Sequence, residues 1–190
     1  MTIYIIEHLE TDLYEWCIIE YKHISKIVGK ENLWITNLPK GSPQLSLYAK
    51  IISESVTKLK LDSKEICILD PEAESTLTTA DKNNFKYFIF GGILGDHPPR
   101  KRTQDELTKF IPNVQTRNIG KEQMSTDNAV YVVHKILSGT PIEKIQFQDE
   151  IEIPLRDGES TIFPYRYALV NGKPLISPEL IKYLKNKEDL

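Results

Sequence analysis

The sequence predicts an α/β fold with a mainly parallel sheet and helices on both faces. Short apolar runs, such as IYII at 3–6 and ICIL at 66–69, alternate with segments whose apolar residues recur at helical spacing. Strands buried on both faces of a parallel sheet give such continuous apolar runs. After residue 140 the pattern changes to hairpin-like turns, so we predict a core over 1–140 and a β-hairpin and helix extension over 141–190.

The first half of the core repeats strand and helix. The run IYII leads into a helix that Asp12 can cap and Gly29 can end. The strand LWIT at 33–36 precedes a second predicted helix, because apolar residues between 45 and 59 follow the helical period. ICIL then forms the next strand, followed by a polar stretch of weak helical character at 72–84.

The second half of the core continues the alternation. The strand YFIF at 87–90 is followed by a short helix near 103–111 and a weak strand around 114–117. The clearest helix begins at Ser125 or Thr126 and ends at Gly139. In the extension, two hairpin turns and one helix start are predicted; they are Asp157-Gly158, Asn171-Gly172 and Ser177-Pro178-Glu179.

Composition limits the classes of function. The chain has 190 residues, with 24 Lys and Arg against 27 Asp and Glu, giving a net charge of -3. It therefore lacks the basic surface with which proteins contact many phosphates of a nucleic acid. Cys17 and Cys67 lie in apolar runs, which predicts buried thiols in a reducing compartment. With no signal-like start and no apolar run of membrane-spanning length, we expect a cytoplasmic protein with no membrane partner.

Ligands of open parallel sheets bind beyond the carboxyl ends of the strands. Four polar or glycine-rich segments follow predicted strands and should share one edge; they are Glu7-His8, Asp70-Pro71, Gly91 to His97 and Asn118 to Gly120. Glycines let main-chain groups approach a ligand, but they also turn tight corners, so both interpretations stay open on this evidence. The GGxxG spacing matches neither a dinucleotide loop nor a P-loop, and His8, His23 and His134 lack metal-ligand spacing, so we predict no metal.

Several motifs together resemble one enzyme family. They are DP at 70–71, YFIFGGILGDHPPR at 87–100, RNIG at 117–120 and QMSTDNA at 123–129, with IIEH, EW at 15–16, EY at 20–21, FPYRY and GKP outside them. In this combination the chain resembles the SPOUT superfamily of S-adenosylmethionine-dependent methyltransferases. It resembles most the subgroup first catalogued as predicted RNA methyltransferases, whose yeast member monomethylates an arginine of a small-subunit ribosomal protein.

The resemblance implies a carboxy-terminal trefoil knot over about 85–140 and S-adenosylmethionine as the methyl donor, held in the knot by three loops. Matched position by position, the implied donor-binding residues are Leu69, Asp70, Pro71, Gly91, Gly92, Ile93, Leu94, Gly95, Asp96, Asn118, Ile119, Gly120, Met124, Ser125, Thr126, Asp127 and Ala129. Extensions like that at 141–190 accompany monomers in the subgroup, so a monomer is preferred and a homodimer stays possible.

An arginine acceptor needs carboxylates that grip and orient its delocalised guanidinium. We predict Glu7, Asp96 and His97 as catalytic residues, while Asp127 mainly caps its helix and touches the donor. The predicted substrate-binding residues are Glu7, His8, Trp16, Arg100 and Arg102. The substrate is then a ribosomal protein.

Two alternatives remain at this point. In the first the chain methylates RNA, rRNA of the ribosome or tRNA. A local phosphate track would then be formed by Lys22, Lys26, Arg100, Lys101 and Arg102. In the second it binds the donor without catalysing transfer.

Overall fold

The computed structural model describes residues 1–38, 42–95, 100–155 and 158–186. Within these ranges a six-stranded parallel sheet is joined to a three-stranded antiparallel sheet. The parallel strands are β1 (Ile3–His8), β2 (Leu33–Thr36), β3 (Lys50–Ile51), β4 (Ile66–Leu69), β5 (Tyr87–Gly92) and β6 (Gln115–Arg117). The antiparallel strands are β7 (Phe147–Pro154), β8 (Ser160–Val170) and β9 (Lys173–Pro174). The helices are α1 (Glu15–Val28), α2 (Pro43–Ser46), α3 (Asp81–Asn84), α4 (Arg102–Glu106), α5 (Thr126–Leu137) and α6 (Pro178–Asn186).

The strand order of the large sheet is β3-β2-β1-β5-β4-β6, and every pairing in it is parallel. The central strand β1 is buried along its whole length, which explains its apolar sequence. The register places His8 beside Gly92, so the carboxyl ends of β1 and β5 lie at the same edge. The predicted α/β class and the shared edge are therefore confirmed, whereas the knot stays a prediction.

The two faces of the sheet are covered by different elements. Tyr4 and Ile6 point to the face on which α1 and α5 pack. Ile3 and Ile5 point to the other face, toward Val56 and neighbouring apolar residues. Because side chains alternate along a strand, this parity decides which face each functional residue of β1 reaches.

The predicted helix between 45 and 59 is wrong. The chain forms only the short α2, then the edge strand β3 and a single 3₁₀ turn at Val56–Lys58. Ile51 pairs with Ile35 of β2, and the Ile52 N–H donates to the Ile35 carbonyl at 2.9 Å. Pairing of a β-branched segment with a neighbouring strand has overridden the apolar spacing, since such residues favour strands over helices.

Most other predicted elements lie close to their observed positions. LWIT and ICIL coincide with β2 and β4, and β5 extends YFIF by two glycines. Helix α5 begins at Thr126 with Ser125 at the cap position, and Gly139 follows its end with a φ of 102°. The predicted cap of α1 is wrong, because the helix begins at Glu15 and Tyr14, not Asp12, precedes it.

Both cysteines are free and buried, as predicted. Burial raises the pKa of each thiol, Cys17 and Cys67, to about 12, so neither is reactive at neutral pH.

The extension packs against α1. Strands β7 and β8 are paired as a hairpin. Asp157 of its predicted turn lies outside the described residues. The second predicted turn is present, with positive φ at both Asn171 and Gly172, as a two-residue hairpin turn requires. Helix α6 begins at Pro178 as expected, and its Leu180 packs with Ile19 of α1. The proposed boundary at 140 stays a prediction.

Candidate active site

Two adjoining cavities open at the carboxyl edge of the parallel sheet. The first cavity, of about 250 Å³, lies between the loops that follow β4, β5 and β6 and the start of α5. The second cavity, of about 220 Å³, lies between α1, the start of α5, β8 and α6. Ile93, Gly95 and Met124 line both cavities, so a group bound in one borders a group bound in the other.

The first cavity is formed by most of the residues predicted to bind the donor. Those that line it are Leu69, Asp70, Pro71, Gly91, Ile93, Gly95, Asn118, Ile119, Gly120, Met124, Thr126 and Ala129. Leu94, Ser125 and Asp127 line the second cavity instead. Gly92 appears in neither lining, because the position of its missing Cβ lies 2.5 Å from the Tyr21 hydroxyl, inside the core. Asp96 lies outside the described residues.

Hydrogen bonds fix two walls of the first cavity. The buried Asp70 accepts the Glu72 N–H at 3.0 Å through one oxygen and the Thr108 hydroxyl at 2.7 Å through the other. The Asn118 amide oxygen accepts the Gly120 N–H at 3.1 Å. These polar side chains therefore hold the loops rather than pointing free into the cavity.

Two glycines of the loop after β5 lie close to neighbouring side chains. A Cβ at Gly91 would lie 2.8 Å from Cδ1 of Ile93. At Gly95 it would overlap the Gln123 amide and lie 2.8 Å from the Tyr165 ring. A side chain at either position would therefore displace the ends of these neighbours.

Arg102 anchors this loop. Oε1 of Glu10 accepts the Leu94 N–H at 2.9 Å and the Arg102 guanidinium at 2.8 Å, and Arg102 also donates to Glu106 at 2.7 Å. These carboxylates raise the pKa of Arg102 above its already high value. Arg102 and the exposed Arg100, both predicted to contact the substrate, line the first cavity and not the second.

The second cavity contains a buried carboxylate framed by aromatic rings. Trp16 and Glu20 come from successive turns of α1, and Trp16 Nε1 donates to Glu20 Oε1 at 3.0 Å. Tyr165 and Tyr167 enter from β8. Burial, followed by the nearby charge of Asp127, raises the pKa of Glu20 to about 8 against the opposing hydrogen bonds.

Asp127 forms the other acidic wall. One oxygen lies 2.6 Å from Nδ1 of His23, and the other accepts the Ser125 hydroxyl at 2.6 Å and the Asn128 N–H at 2.8 Å. Asp127 therefore holds the helix start, as predicted, but it faces the second cavity rather than the first.

The structure gives Glu7 a structural role in place of the predicted catalytic one. Glu7 shares the parity of Ile3 and Ile5, so it points away from α1 and α5. Its Oε2 accepts the Thr36 hydroxyl and, at 2.9 Å, the Val56 N–H, and it lines neither cavity.

Of the two predicted histidines the structure describes only His8, which lies away from both cavities. His8 is buried against Tyr21, whose hydroxyl lies 2.8 Å from its Nδ1, and burial lowers its pKa. It lines neither cavity. His97 lies outside the described residues. Of the predicted substrate contacts only Trp16 lines the second cavity.

The basic residues of the alternative phosphate track are largely neutralised. Lys26 pairs with Glu179 at 2.7 Å, Lys101 pairs with Glu72, and Arg102 is held by Glu10 and Glu106 as above. An acidic cavity beside paired cations favours a cationic acceptor over a polyanion.

Sequence reasoning missed Glu20 and the two tyrosines as members of the site. A signal was present, because Trp16 and Glu20 are four residues apart on a helix and so share a face. Tyr165 and Tyr167 are two apart on a strand, which also places them on one face.

No cluster of His, Cys, Asp and Glu suited to a metal ion was found in the part of the chain that the structure describes. A search of the same residues found no helix able to cross a membrane.

The fold defines a class of protein: it is that of methyltransferases of the SPOUT type, with a glycine-lined cavity beside an acidic one at the carboxyl edge of the sheet. The family follows from comparison with known proteins. The model of the family described as "Protein arginine N-methyltransferase SFM1-like" matches residues 3–190, and the chain belongs to this family.

Comparison with individual proteins supports the same family. The chain is 35% identical over 199 residues to protein arginine N-methyltransferase SFM1 of Saccharomyces cerevisiae, covering 96% of this chain and 93% of the relative. It superposes with a TM-score of 0.87 on the yeast arginine methyltransferase SFM1 complexed with S-adenosylmethionine, at 35% identity and 97% and 90% coverage. The dual-specific Trm10 of Thermococcus kodakaraensis, at 19% identity, a TM-score of 0.59 and 76% and 96% coverage, shares the fold alone.

Proposed function

We propose that this chain is an S-adenosylmethionine-dependent protein arginine N-methyltransferase that monomethylates an arginine of a small-subunit ribosomal protein in the cytoplasm. The observation that carries the proposal is the buried Glu20 carboxyl, opposite Asp127 in a cavity that adjoins the glycine-lined one. A guanidinium is the protein cation that stays charged at every physiological pH and pairs well with carboxylates.

The residues of the first cavity fit the methyl donor. Apolar side chains such as Leu69, Phe90 and Ile119 suit an adenine ring, and the main chain at Gly91 and Gly95 is open to polar groups of a ligand. The solved complexes of yeast SFM1 with S-adenosylmethionine and with its demethylated product support this assignment. When bound, S-adenosylmethionine supplies a methyl group on a sulfonium centre, which is a good leaving group.

The second cavity orients the acceptor. Trp16, Tyr165 and Tyr167 exclude water from the guanidinium and provide aromatic faces for it. Glu20 accepts hydrogen bonds from it, which leaves one terminal nitrogen directed toward the shared wall at Ile93 and Gly95.

Glu20 also receives the proton that the reaction releases. Arginine and methylarginine are both monocations, so methylation by a cationic donor frees one proton. Burial raises the pKa of Glu20, so its carboxylate takes up this proton as the methylated side chain leaves and passes it to solvent. Asp127, paired with His23, keeps the cavity negative during this exchange.

We propose that the enzyme works as a monomer. Asn128 of α5 donates to the Leu175 carbonyl at 2.9 Å and accepts the Ala168 N–H at 2.9 Å, so the extension covers part of α5. Sedimentation of the purified chain would test this, since a dimer would appear at twice 21.9 kDa.

Labelling of ribosomes tests the substrate class. Ribosomes from a strain that lacks the gene are incubated with the enzyme and methyl-labelled S-adenosylmethionine, then digested separately with protease and with RNase. We expect the label to resist RNase, and acid hydrolysis of the labelled protein to yield monomethylarginine. Label that resists protease but is lost to RNase would establish an RNA methyltransferase instead, and donor binding without any label would indicate a non-catalytic protein.

A further inference from the structure

One tyrosine of the extension lines the second cavity and contacts a residue that both cavities share. Tyr165 lies on β8, and its ring lines the second cavity. Its hydroxyl donates to the Gly95 carbonyl at 3.1 Å, and Gly95 belongs to the wall that the two cavities share. A side chain of the extension therefore holds the glycine loop of the core.

The neighbouring residue holds the loop before α5. The Arg166 N–H donates to the Gln123 carbonyl at 2.8 Å, and its guanidinium donates to Glu122 at 2.8 Å. Asp149 on β7 accepts from the same guanidinium at 2.6 Å, which fixes Arg166 to the hairpin. Consecutive residues of β8 thus contact two of the loops that surround the first cavity.

The Tyr165 ring lies directly against Gly95. A Cβ on Gly95 would lie 2.8 Å from that ring and would also meet the Gln123 amide. A shift of the loop at Gly95 would therefore move the ring or lengthen its hydrogen bond. Displacement of the ring in turn changes the wall of the acceptor cavity, where Trp16 and Glu20 lie.

We propose that Tyr165 is a positioning residue that couples the two cavities, so that a donor seated against Gly95 sets the ring that borders the acceptor. The proposal rests on the proposed function, because it takes an arginine side chain as the ligand of the second cavity. Coupling of this kind is reciprocal: the acceptor tightens donor binding by the same factor as the donor tightens acceptor binding.

The test measures binding rather than turnover. A peptide containing the arginine that the wild-type enzyme labels in ribosomes is titrated by calorimetry into the protein, with and without saturating S-adenosylhomocysteine. The ratio of the two dissociation constants is compared in the wild type, Tyr165→Phe and Tyr167→Phe. Tyr167→Phe is the matched control, because it removes a hydroxyl from the same cavity but leaves the Tyr165–Gly95 hydrogen bond in place.

We expect S-adenosylhomocysteine to tighten peptide binding about fivefold or more in the wild type and in Tyr167→Phe. In Tyr165→Phe the ratio falls to about one, because the hydrogen bond that links the two cavities is lost while the aromatic ring stays. A role in folding alone would change both dissociation constants and leave the ratio intact.

Results that would overturn the coupling differ from those that would overturn the proposed function. A ratio that persists in Tyr165→Phe, is lost equally in Tyr167→Phe, or equals one in the wild type would overturn the coupling and leave the proposed function standing. A wild-type protein that labels no ribosomal protein and binds no arginine peptide would overturn the proposed function and the coupling with it.

Discussion

Replacement of Glu20 by glutamine should make the protein more stable and less active. Glutamine keeps the shape of the side chain and can still accept from Trp16, but it carries no charge. The buried carboxylate is costly to form, since burial and Asp127 raise its pKa from 4.5 to about 8. Because the folded state holds the Glu20 proton more tightly than the unfolded chain does, the protonated carboxyl stabilises the folded state below pH 4.5. This stabilisation is lost as the pH rises to about 8.

The size of the effect follows from that shift. At about 1.4 kcal/mol per pH unit, charging Glu20 above pH 8 costs the folded state on the order of 5 kcal/mol. Glu20→Gln avoids this cost, so its advantage over the wild type grows between pH 4.5 and 8 and then levels off. In a chain of 190 residues the gain corresponds to about 10 °C in Tm at pH 9 and little at pH 5. Without the carboxylate, kcat/KM should fall about 100-fold or more.

Thermal unfolding at pH 5, 7 and 9 together with peptide methylation measures both effects. Glu179→Gln serves as the control, because Glu179 is a half-exposed acid whose pKa is lowered by Lys26, and its replacement should bring no stability gain at high pH. A Tm difference between Glu20→Gln and the wild type that does not change with pH would refute the buried-carboxyl argument. Wild-type turnover in Glu20→Gln would refute its contact with the guanidinium.

Three further substitutions separate the site from its supports. Gly95→Ala should weaken S-adenosylhomocysteine binding about tenfold or more by calorimetry, because its Cβ would displace Gln123 and the Tyr165 ring; unchanged affinity would contradict the close packing of that loop. Glu10→Ala releases the Leu94 N–H, so donor affinity should fall severalfold while the Tm changes little, and a pure loss of Tm would argue for a role in folding only. Glu7→Ala should cost about 2–4 kcal/mol in urea unfolding, since the Val56 N–H and the Thr36 hydroxyl both lose their hydrogen bonds to its Oε2, with donor and peptide affinities retained by the folded protein; lost peptide affinity would restore its predicted catalytic role.

Elements that are buried on both faces were predictable from sequence, and elements decided by pairing were not. The strands β1, β2 and β4 are continuous apolar runs because both faces of the sheet are covered, one by α1 and α5 and the other by the apolar residues around Val56. The segment 45–59 has helical spacing, but an edge strand forms there because β2 offers an unpaired neighbour. That neighbour is a tertiary fact, so local spacing could not reveal it.

The first cavity was more predictable from the sequence than the second, because its marks are local. Close approach of the main chain to a ligand favours glycine, so Gly91 and Gly95 mark the loop of the first cavity in the sequence itself. The acceptor cavity instead joins α1 to β8, two segments that are far apart in the chain. Glu7 was predicted at the correct edge of the sheet. Sequence did not show which face of the sheet it would point to, because that depends on where α1 and α5 pack.

Glu20 illustrates the same limit at one residue. A glutamate in an amphipathic helix is ordinarily a surface residue, and the local sign that this one differs is Trp16, four residues earlier on the same face. Glu20 is buried in a cavity that Tyr167 and Leu180 of the extension also line, so its surroundings depend on residues more than a hundred positions away.

The most direct test of the account is the pH dependence of peptide binding in the presence of S-adenosylhomocysteine. If the guanidinium is held by the Glu20 carboxylate, it competes with a proton for that group, and the dissociation constant should fall about tenfold for each pH unit up to about pH 8 and stay constant above it. Glu20→Gln should bind weakly with no such dependence. Equal affinity of the wild type for the arginine peptide at pH 6 and pH 9 would contradict the claim that the Glu20 carboxylate holds the guanidinium.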